Sequence, residues 1–300
     1  MSAMLEATQL TKIYGAERAV NQLNFVLEEG TSTALIGPNG AGKTTTISML
    51  AGLLKPTEGS ISLNGEPRAD VREFIGFLPQ YPQFFSWLTA LEFMEMAAKL
   101  SGMDARSAKL EAQKTLEFVG LGEALKKKTG TFSGGMKQRL GLAQAIVHKP
   151  KLLLLDEPVS ALDPVGRREI MNLLKSLQQE MTILYSTHIL NDAEEMTDQL
   201  LFLRKGQLVE QGSIGDVRAK YDQPRYRVEF GRPEDAQTFA HQAPWAMQVE
   251  GTSGIIDMTN GLPMMNDVLR SLAESGLDVR KAERQTASLE EIFMKVAGQA

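Results

Sequence analysis

A phosphate-loop pattern constrains this chain more than any other feature. Gly37-Pro38-Asn39-Gly40-Ala41-Gly42-Lys43-Thr44 fits G-x-x-x-x-G-K-[ST]. TSTALIG, from Thr31 to Gly37, reads as a buried strand, while TTTISMLAGLL, from Thr44 to Leu54, carries helical apolar spacing and stops near Pro56. Strand, glycine loop, helix is the context that the pattern needs. The glycines let consecutive backbone N–H groups turn toward phosphate oxygens, and the helix amino terminus adds positive potential. Lys43 is then placed to bridge β- and γ-phosphates, and Thr44 Oγ to ligate Mg2+. A nucleotide site is expected here.

Two further stretches suit the same chemistry. Leu152-Leu153-Leu154-Leu155-Asp156-Glu157 is a buried strand that delivers two carboxylates at its carboxyl end, where open α/β sheets bind ligands. Asp156 suits Mg2+, directly or through water, and Glu157 can orient and polarise the water that attacks a γ-phosphate. Phe132-Ser133-Gly134-Gly135-Met136-Lys137-Gln138-Arg139 precedes another helix. It therefore offers a hydroxyl and open backbone amides at a helix start, a second phosphate-binding surface. One chain carries two half-sites.

Around these motifs strands and helices alternate, which predicts a mostly parallel sheet covered on both faces. Leu5 to Val26 reads as part of a short antiparallel sheet, and Asn64-Gly65 in ISLNGEPR marks a hairpin. FIGFLPQ is a strand ending at Gln80. Thr89 to Glu92 forms a capping box that opens a helical stretch reaching about Leu125, inside a helical subdomain spanning about 82–150. Helices from Val165 to Glu180 and from Leu190 to Thr197 flank the strand TILYS, and QLLFLRKGQLVEQG is a hairpin. The pattern breaks near Tyr221 to Pro224, which divides the chain into 1–221 and 222–300. The second part runs β-α-β-β-α-β, the split ferredoxin-like plan, from Tyr226 to Glu283, with a closing amphipathic segment SLEEIFMKVAG. Met247, Met258, Met264, Met265 and Met294 there read as core filling.

Composition removes other classes. With 32 basic against 37 acidic residues and a formal net charge of −5, the chain lacks the basic footprint of a nucleic-acid binder. It has no cysteine, which excludes disulfides and thiolate chemistry, and His148, His188 and His241 are too scattered for a histidine metal centre. The start, MSAMLEATQLTKIYG, has neither a basic region nor an apolar run, so no signal peptide is expected. Nowhere do about 18 apolar residues run together, so no spanning helix is expected either.

The phosphate loop, the carboxylate strand and the Ser-Gly-Gly stretch together resemble the ATP-binding cassette family. Within it, the chain is most similar to ATPase subunits of ABC-2 type exporters, whose membrane subunits are separate chains. The resemblance covers about Leu5 to Val217, and SLEEIFMKV resembles the ends of the same subunits. It implies a P-loop NTPase core of α/β class with an antiparallel β subdomain and a helical subdomain, and ATP and Mg2+ as ligands. Gly37, Pro38, Asn39, Gly40, Ala41, Gly42, Lys43, Thr44 and Thr45 would cradle the phosphates, and Asp156 would join them at the nucleotide. Ser133, Gly134 and Gly135 match the signature that completes a partner copy's site across a head-to-tail dimer. Tyr14 matches the aromatic that stacks on adenine, and Gln80 the glutamine that senses Mg2+ and contacts the membrane subunit. Thr44, Gln80 and Asp156 would hold the metal. Ser160-Ala161-Leu162-Asp163 matches the dimer-contacting loop, and His188 the switch histidine beside the γ-phosphate, acting with Glu157 and Gln80 in catalysis. Met136 and Phe132 depart from the commoner glutamine and leucine.

The implied molecule is a homodimer with two ATP at its interface, driving a transmembrane permease from the cytoplasmic face of the cell membrane. It would touch the membrane only through that partner, and it would bind no nucleic acid. The alternatives are an importer ATPase and a soluble cassette protein without a transport role. Soluble members that act on ribosomes resemble two fused cassettes, and the DNA-repair type carries a long coiled-coil interruption; this chain has neither feature.

Overall fold

The computed structural model describes residues 2–67, 71, 73–160, 162–221, 224–258 and 262–298. The chain divides into two compact units, Met1–Ile214 and Gly215–Ala300. This division precedes the break expected at Tyr221 to Pro224, because a helix follows the last strand of the first unit without a linker. Asp222 and Gln223 lie outside the described residues.

The first unit opens with the long hairpin of β1 (Ala3–Tyr14) and β2 (Glu17–Glu28). Strand β3 (Ser32–Ile36) and helix α1 (Lys43–Leu50) flank the phosphate loop. The helix stops at Leu50 rather than Leu54: Gly52 takes a φ of 71°, and the N–H groups of Leu53 and Leu54 both turn back to Ser48 O. Strands β4 (Glu58–Leu63) and β5 (Glu66–Pro67) turn at Asn64 and Gly65, whose φ values of 52° and 77° are those a type I′ hairpin requires. Next come β6 (Ile75–Leu78), α2 (Ala90–Leu100), α3 (Ala105–Phe118) and α4 (Gly134–Ile146). Then follow β7 (Leu152–Leu155), α5 (Pro164–Leu177), β8 (Thr182–Thr187), α6 (Leu190–Met196), β9 (Gln199–Arg204) and β10 (Gln207–Ser213).

Two sheets result. The antiparallel sheet runs β2-β1-β4-β5; the larger runs β10-β9-β3-β8-β7-β6, parallel except for β10. Every residue of β3, β7 and β8 is buried, as expected for parallel strands covered on both faces. A continuous apolar cluster, including Leu10, Leu27, Ile47, Leu152, Leu184 and Leu203, joins the two sheets. Because β3, β8 and β7 are parallel neighbours, the segments that follow them leave the sheet along one edge. Those segments are the phosphate loop, His188 and the Asp156-Glu157 pair.

The helical stretch starts as expected, with Thr89 Oγ1 accepting from Glu92 N at 3.3 Å and Glu92 Oε2 accepting from Thr89 N at 2.8 Å. The Thr89 N–H bond to the carboxylate, joined by one from Thr89 Oγ1, holds the Glu92 carboxyl below its ordinary pKa. The stretch is then broken in two. Gly102 turns at a φ of 90°, and Asp104 Oδ1 caps α3 by accepting from Arg106 N and Ser107 N.

In the second unit, α7 (Ile214–Tyr221) leads into β11 (Arg225–Phe230), α8 (Pro233–Gln242), β12 (Met247–Glu250), β13 (Ser253–Asp257), α9 (Met265–Ser275), β14 (Val279–Gln285) and α10 (Leu289–Gly298). Thr259, placed at the end of an expected strand, lies outside the described residues. The antiparallel order β12-β13-β11-β14 is the ferredoxin-like plan. Tyr226, Val228 and Phe230 face Phe239, Ile256, Val268 and Leu272 in its core. Met247, Met258 and Met265 pack against that core, but Met264 and Met294 are 62% and 66% exposed, so these two are not core filling.

Candidate nucleotide site

The glycines of the phosphate loop are fixed by what surrounds them. A Cβ on Gly37 would stand 2.3 Å from Leu203 O, and one on Gly42, which has a φ of 102°, would stand 2.5 Å from Ala19 O. The β1–β2 hairpin and the β9–β10 turn therefore clamp the loop, and main-chain bonds lock the clamp: Gly206 N donates to Ala41 O at 2.9 Å and Asn21 N to Gly206 O at 2.8 Å. Helix α1 begins at Gly42 with no side-chain cap, leaving first-turn amides open beside the exposed Thr44 and the half-buried Thr45. Pro38, Asn39 and Gly40 stand at the exposed rim of the loop. Such a cradle fits phosphate.

Glu157 is the centre of the charged groups. Lys43 Nζ donates to Gly37 O at 2.8 Å and to Pro38 O at 3.3 Å, and it also lies 3.3 Å from Glu157 Oε1. The other carboxylate oxygen, Oε2, accepts from Gln80 Nε2 at 3.2 Å and lies 3.3 Å from His188 Nδ1. Four residues expected to act together are thus drawn from the ends of three strands and one helix start. Glu157 itself is buried and takes a φ of 46°, a left-handed conformation that costs a non-glycine residue about 1–2 kcal/mol. Strain of this kind gathers at working sites.

Sequence reasoning missed Ser186. Its Oγ donates to Asp156 Oδ1 at 2.7 Å and accepts from Glu157 N at 2.9 Å, so one fully buried hydroxyl sets the register of both carboxylates. The available signal was a small hydroxyl residue within the fully buried strand TILYST.

Ser133 begins α4 as its N-cap, its Oγ accepting from Met136 N at 3.3 Å. Ser133 and Gly134 are exposed. Among the described residues no hydrogen bond or ion pair joins Ser133, Gly134 or Gly135 to the Glu157 cluster. The three instead line a cavity of about 940 Å³ with Leu162 and Asp163. Ala161, in the expected dimer-contacting loop, lies outside the described residues. Tyr14 closes β1 half exposed, with Lys12 Nζ 5.3 Å from its ring centroid, and leaves an aromatic surface open on the hairpin that clamps Gly42. No helix among the described residues is long and apolar enough to cross a membrane.

A phosphate loop after one parallel strand, with paired carboxylates after another strand of the same sheet, defines a P-loop nucleoside triphosphatase. Family models agree and narrow the class: residues 20–160 match "ABC transporter", and residues 212–297 match "ATP-binding protein DrrA1-3-like, C-terminal domain". The chain is 42% identical to the uncharacterized ABC transporter ATP-binding protein YxlF of Bacillus subtilis, over 98% of this chain and 99% of that one. It is 37% identical to the bacitracin transport ATP-binding protein BcrA of Bacillus licheniformis, over 99% and 98%. Among solved structures, the ATP-binding subunit of an ABC transporter superposes with a TM-score of 0.66 at 32% identity, covering 73% of this chain and 93% of that one. The cassette MJ0796, solved as a dimer in a post-hydrolysis state bound to ADP and Pi, gives a TM-score of 0.64 at 28% identity, covering 70% and 99%. The chain belongs to the ATP-binding cassette family and is an ATP-binding, ATP-hydrolysing subunit of an ABC transporter.

Proposed function

We propose that this chain powers an ABC-2 type exporter as a homodimer in which each copy lends Ser133, Gly134 and Gly135 to the ATP bound by the other. The carrying observation is the convergence of Lys43, Gln80 and His188 on Glu157, with the Ser133 half-site left facing outward. Gly37 to Thr45 bind the triphosphate, Lys43 meets the β- and γ-phosphates, and Tyr14 stacks on adenine. Glu157 orients and deprotonates the attacking water, His188 holds the γ-phosphate side, and Gln80 links the site to the permease. Thr44, Asp156 and Gln80 would hold Mg2+, which would supply neutralisation of phosphate charge. Two copies related by a two-fold place both ATP molecules in one isologous interface. The γ-phosphate touches both copies, so ATP favours closure and its hydrolysis favours opening.

Tyr81, Phe85 and Trp87, large apolar side chains exposed just after Gln80, offer the permease an anchor. This arrangement puts the chain on the cytoplasmic face of the membrane through its partner alone. Export is favoured by likeness to the linearmycin resistance ATP-binding protein LnrL of Bacillus subtilis, 38% identical over 71% of this chain. The division into 1–221 and 222–300 is kept for function, the second part being an accessory, dimer-stabilising domain. Isolating the full chain from native membranes and identifying the subunit that travels with it tests the reading. An integral membrane permease is expected; ribosomal or DNA-bound partners alone would overturn it.

A further inference from the structure

A half-buried ion pair ties α5 to α6. Asp192, 5% exposed, stands in the first turn of α6, and its Oδ1 accepts from Arg167 Nε at 3.0 Å and from Arg167 Nη2. Tyr185 Oη donates to the main-chain oxygen of Asp192 at 3.2 Å and shares a 2.7 Å bond with Thr197 Oγ1. Burial pushes the Tyr185 phenol up, so it remains a neutral donor. Arg168 and Lys175 add pairs to Glu195 along the same seam, at 3.0 and 2.6 Å.

Stability alone does not account for the pair. Burying the Asp192 charge is costly unless every lone pair of its carboxylate is satisfied; Arg167 stays about one-third exposed, and Asp192 Oδ2 has no hydrogen-bond partner among the described residues. Position is what the pair supplies. Helix α6 is seven residues long and has no side-chain cap, too short to hold itself, and it starts just after His188. At the other end of the seam, α5 begins at Asp163, whose Oδ1 accepts from Gly166 N at 2.9 Å. Two positions beyond Arg167, on the opposite side of α5, Glu169 pairs with Arg139 of α4, the helix that Ser133 starts. Helix α5 therefore grips the Ser133 half-site on one side and the element that carries His188 on the other.

We infer that Arg167 and Asp192 are positioning residues for hydrolysis. Their pair holds His188 in register with the Asp163 loop, so that docking of a second copy at Ser133 and Asp163 is felt at Glu157 of the same chain. The inference rests on the reading of His188 and of the Ser133 half-site given above.

The test is steady-state ATP hydrolysis and thermal unfolding of the full chain carrying Arg167→Met, Arg167→Lys, His188→Ala, or Arg167→Met with His188→Ala. A small displacement of a catalytic group costs roughly tenfold to a hundredfold in rate. Arg167→Met should lower kcat by about that factor with the KM for ATP unchanged, its unfolding midpoint falling because Asp192 is left buried without a counter-charge, and Arg167→Lys, which keeps the charge but loses the fork, should fall between. The double variant should be no slower than His188→Ala. Normal kcat in Arg167→Met, a rise in the KM for ATP that accounts for its loss, or additive losses in the double variant would overturn the inference. Normal turnover in His188→Ala would instead overturn the reading of His188 itself.

Discussion

Lys43 Nζ lies 3.3 Å from Glu157 Oε1, with both side chains more than nine-tenths buried. The cation suited to triphosphate and the carboxylate suited to activating water therefore neutralise each other in this structure. Entry of a triphosphate would draw Lys43 toward the phosphate oxygens and release Glu157 to accept a proton. The same movement would leave Gln80 and His188 as the remaining partners of that carboxylate.

Replacing Lys43 by Ala removes charge-assisted bonds worth about 1.5–3 kcal/mol, so ATP affinity should fall by roughly tenfold to a hundredfold. Titration with a fluorescent ATP analogue measures this. Unchanged affinity would contradict the phosphate-loop assignment.

Glu157→Gln keeps the size of the side chain and its reach to Gln80 and His188 but abolishes its basicity. Turnover should drop by about 10²–10⁴ while ATP still binds, as phosphate release and nucleotide titration would report. Full hydrolysis by the variant would remove Glu157 from the role of base.

Ser186→Ala deletes the hydroxyl between the two carboxylates and strands Glu157 N–H in a buried setting. The loss should cost about 1–3 kcal/mol of stability and slow hydrolysis, because Asp156 and Glu157 lose their common register. Denaturant unfolding beside an ATPase assay checks both. If neither changes, the bridge has no role.

Burial holds His148 below the usual histidine range. An unfolded chain protonates this residue near pH 6.5, so below that value the unfolded state binds more protons than the folded one. The contribution to stability is complete above about pH 6.5 and is lost as pH falls through the folded value. His148→Phe should therefore show a shallower loss of unfolding midpoint than the parent between about pH 6.5 and pH 5. Equal slopes would refute this.

Much of the fold was legible because its determinants are local. The glycine loop, the Leu152–Leu155 run, the Thr89 capping box and the Asn64-Gly65 turn each write their geometry in a few adjacent residues. What escaped depends on distant partners. Ser186 is one of four hydroxyl side chains on its strand, and nothing local singles it out until β8 lies beside β7. Nothing in the local sequence pairs Arg167 with Asp192 until α5 and α6 meet. The break between α2 and α3 was written at Gly102 and Asp104, but continuous helical periodicity masked it. Met264 and Met294 show that composition alone does not say which methionines face a core.

The central claim is that ATP joins two copies of this chain through half-sites that neither copy completes alone. Light scattering on the Glu157→Gln variant measures it directly. With ATP the mass should rise to twice the 33.0 kDa of one chain, and with ADP it should stay at one. A variant that binds ATP stoichiometrically and remains at 33.0 kDa would contradict the account.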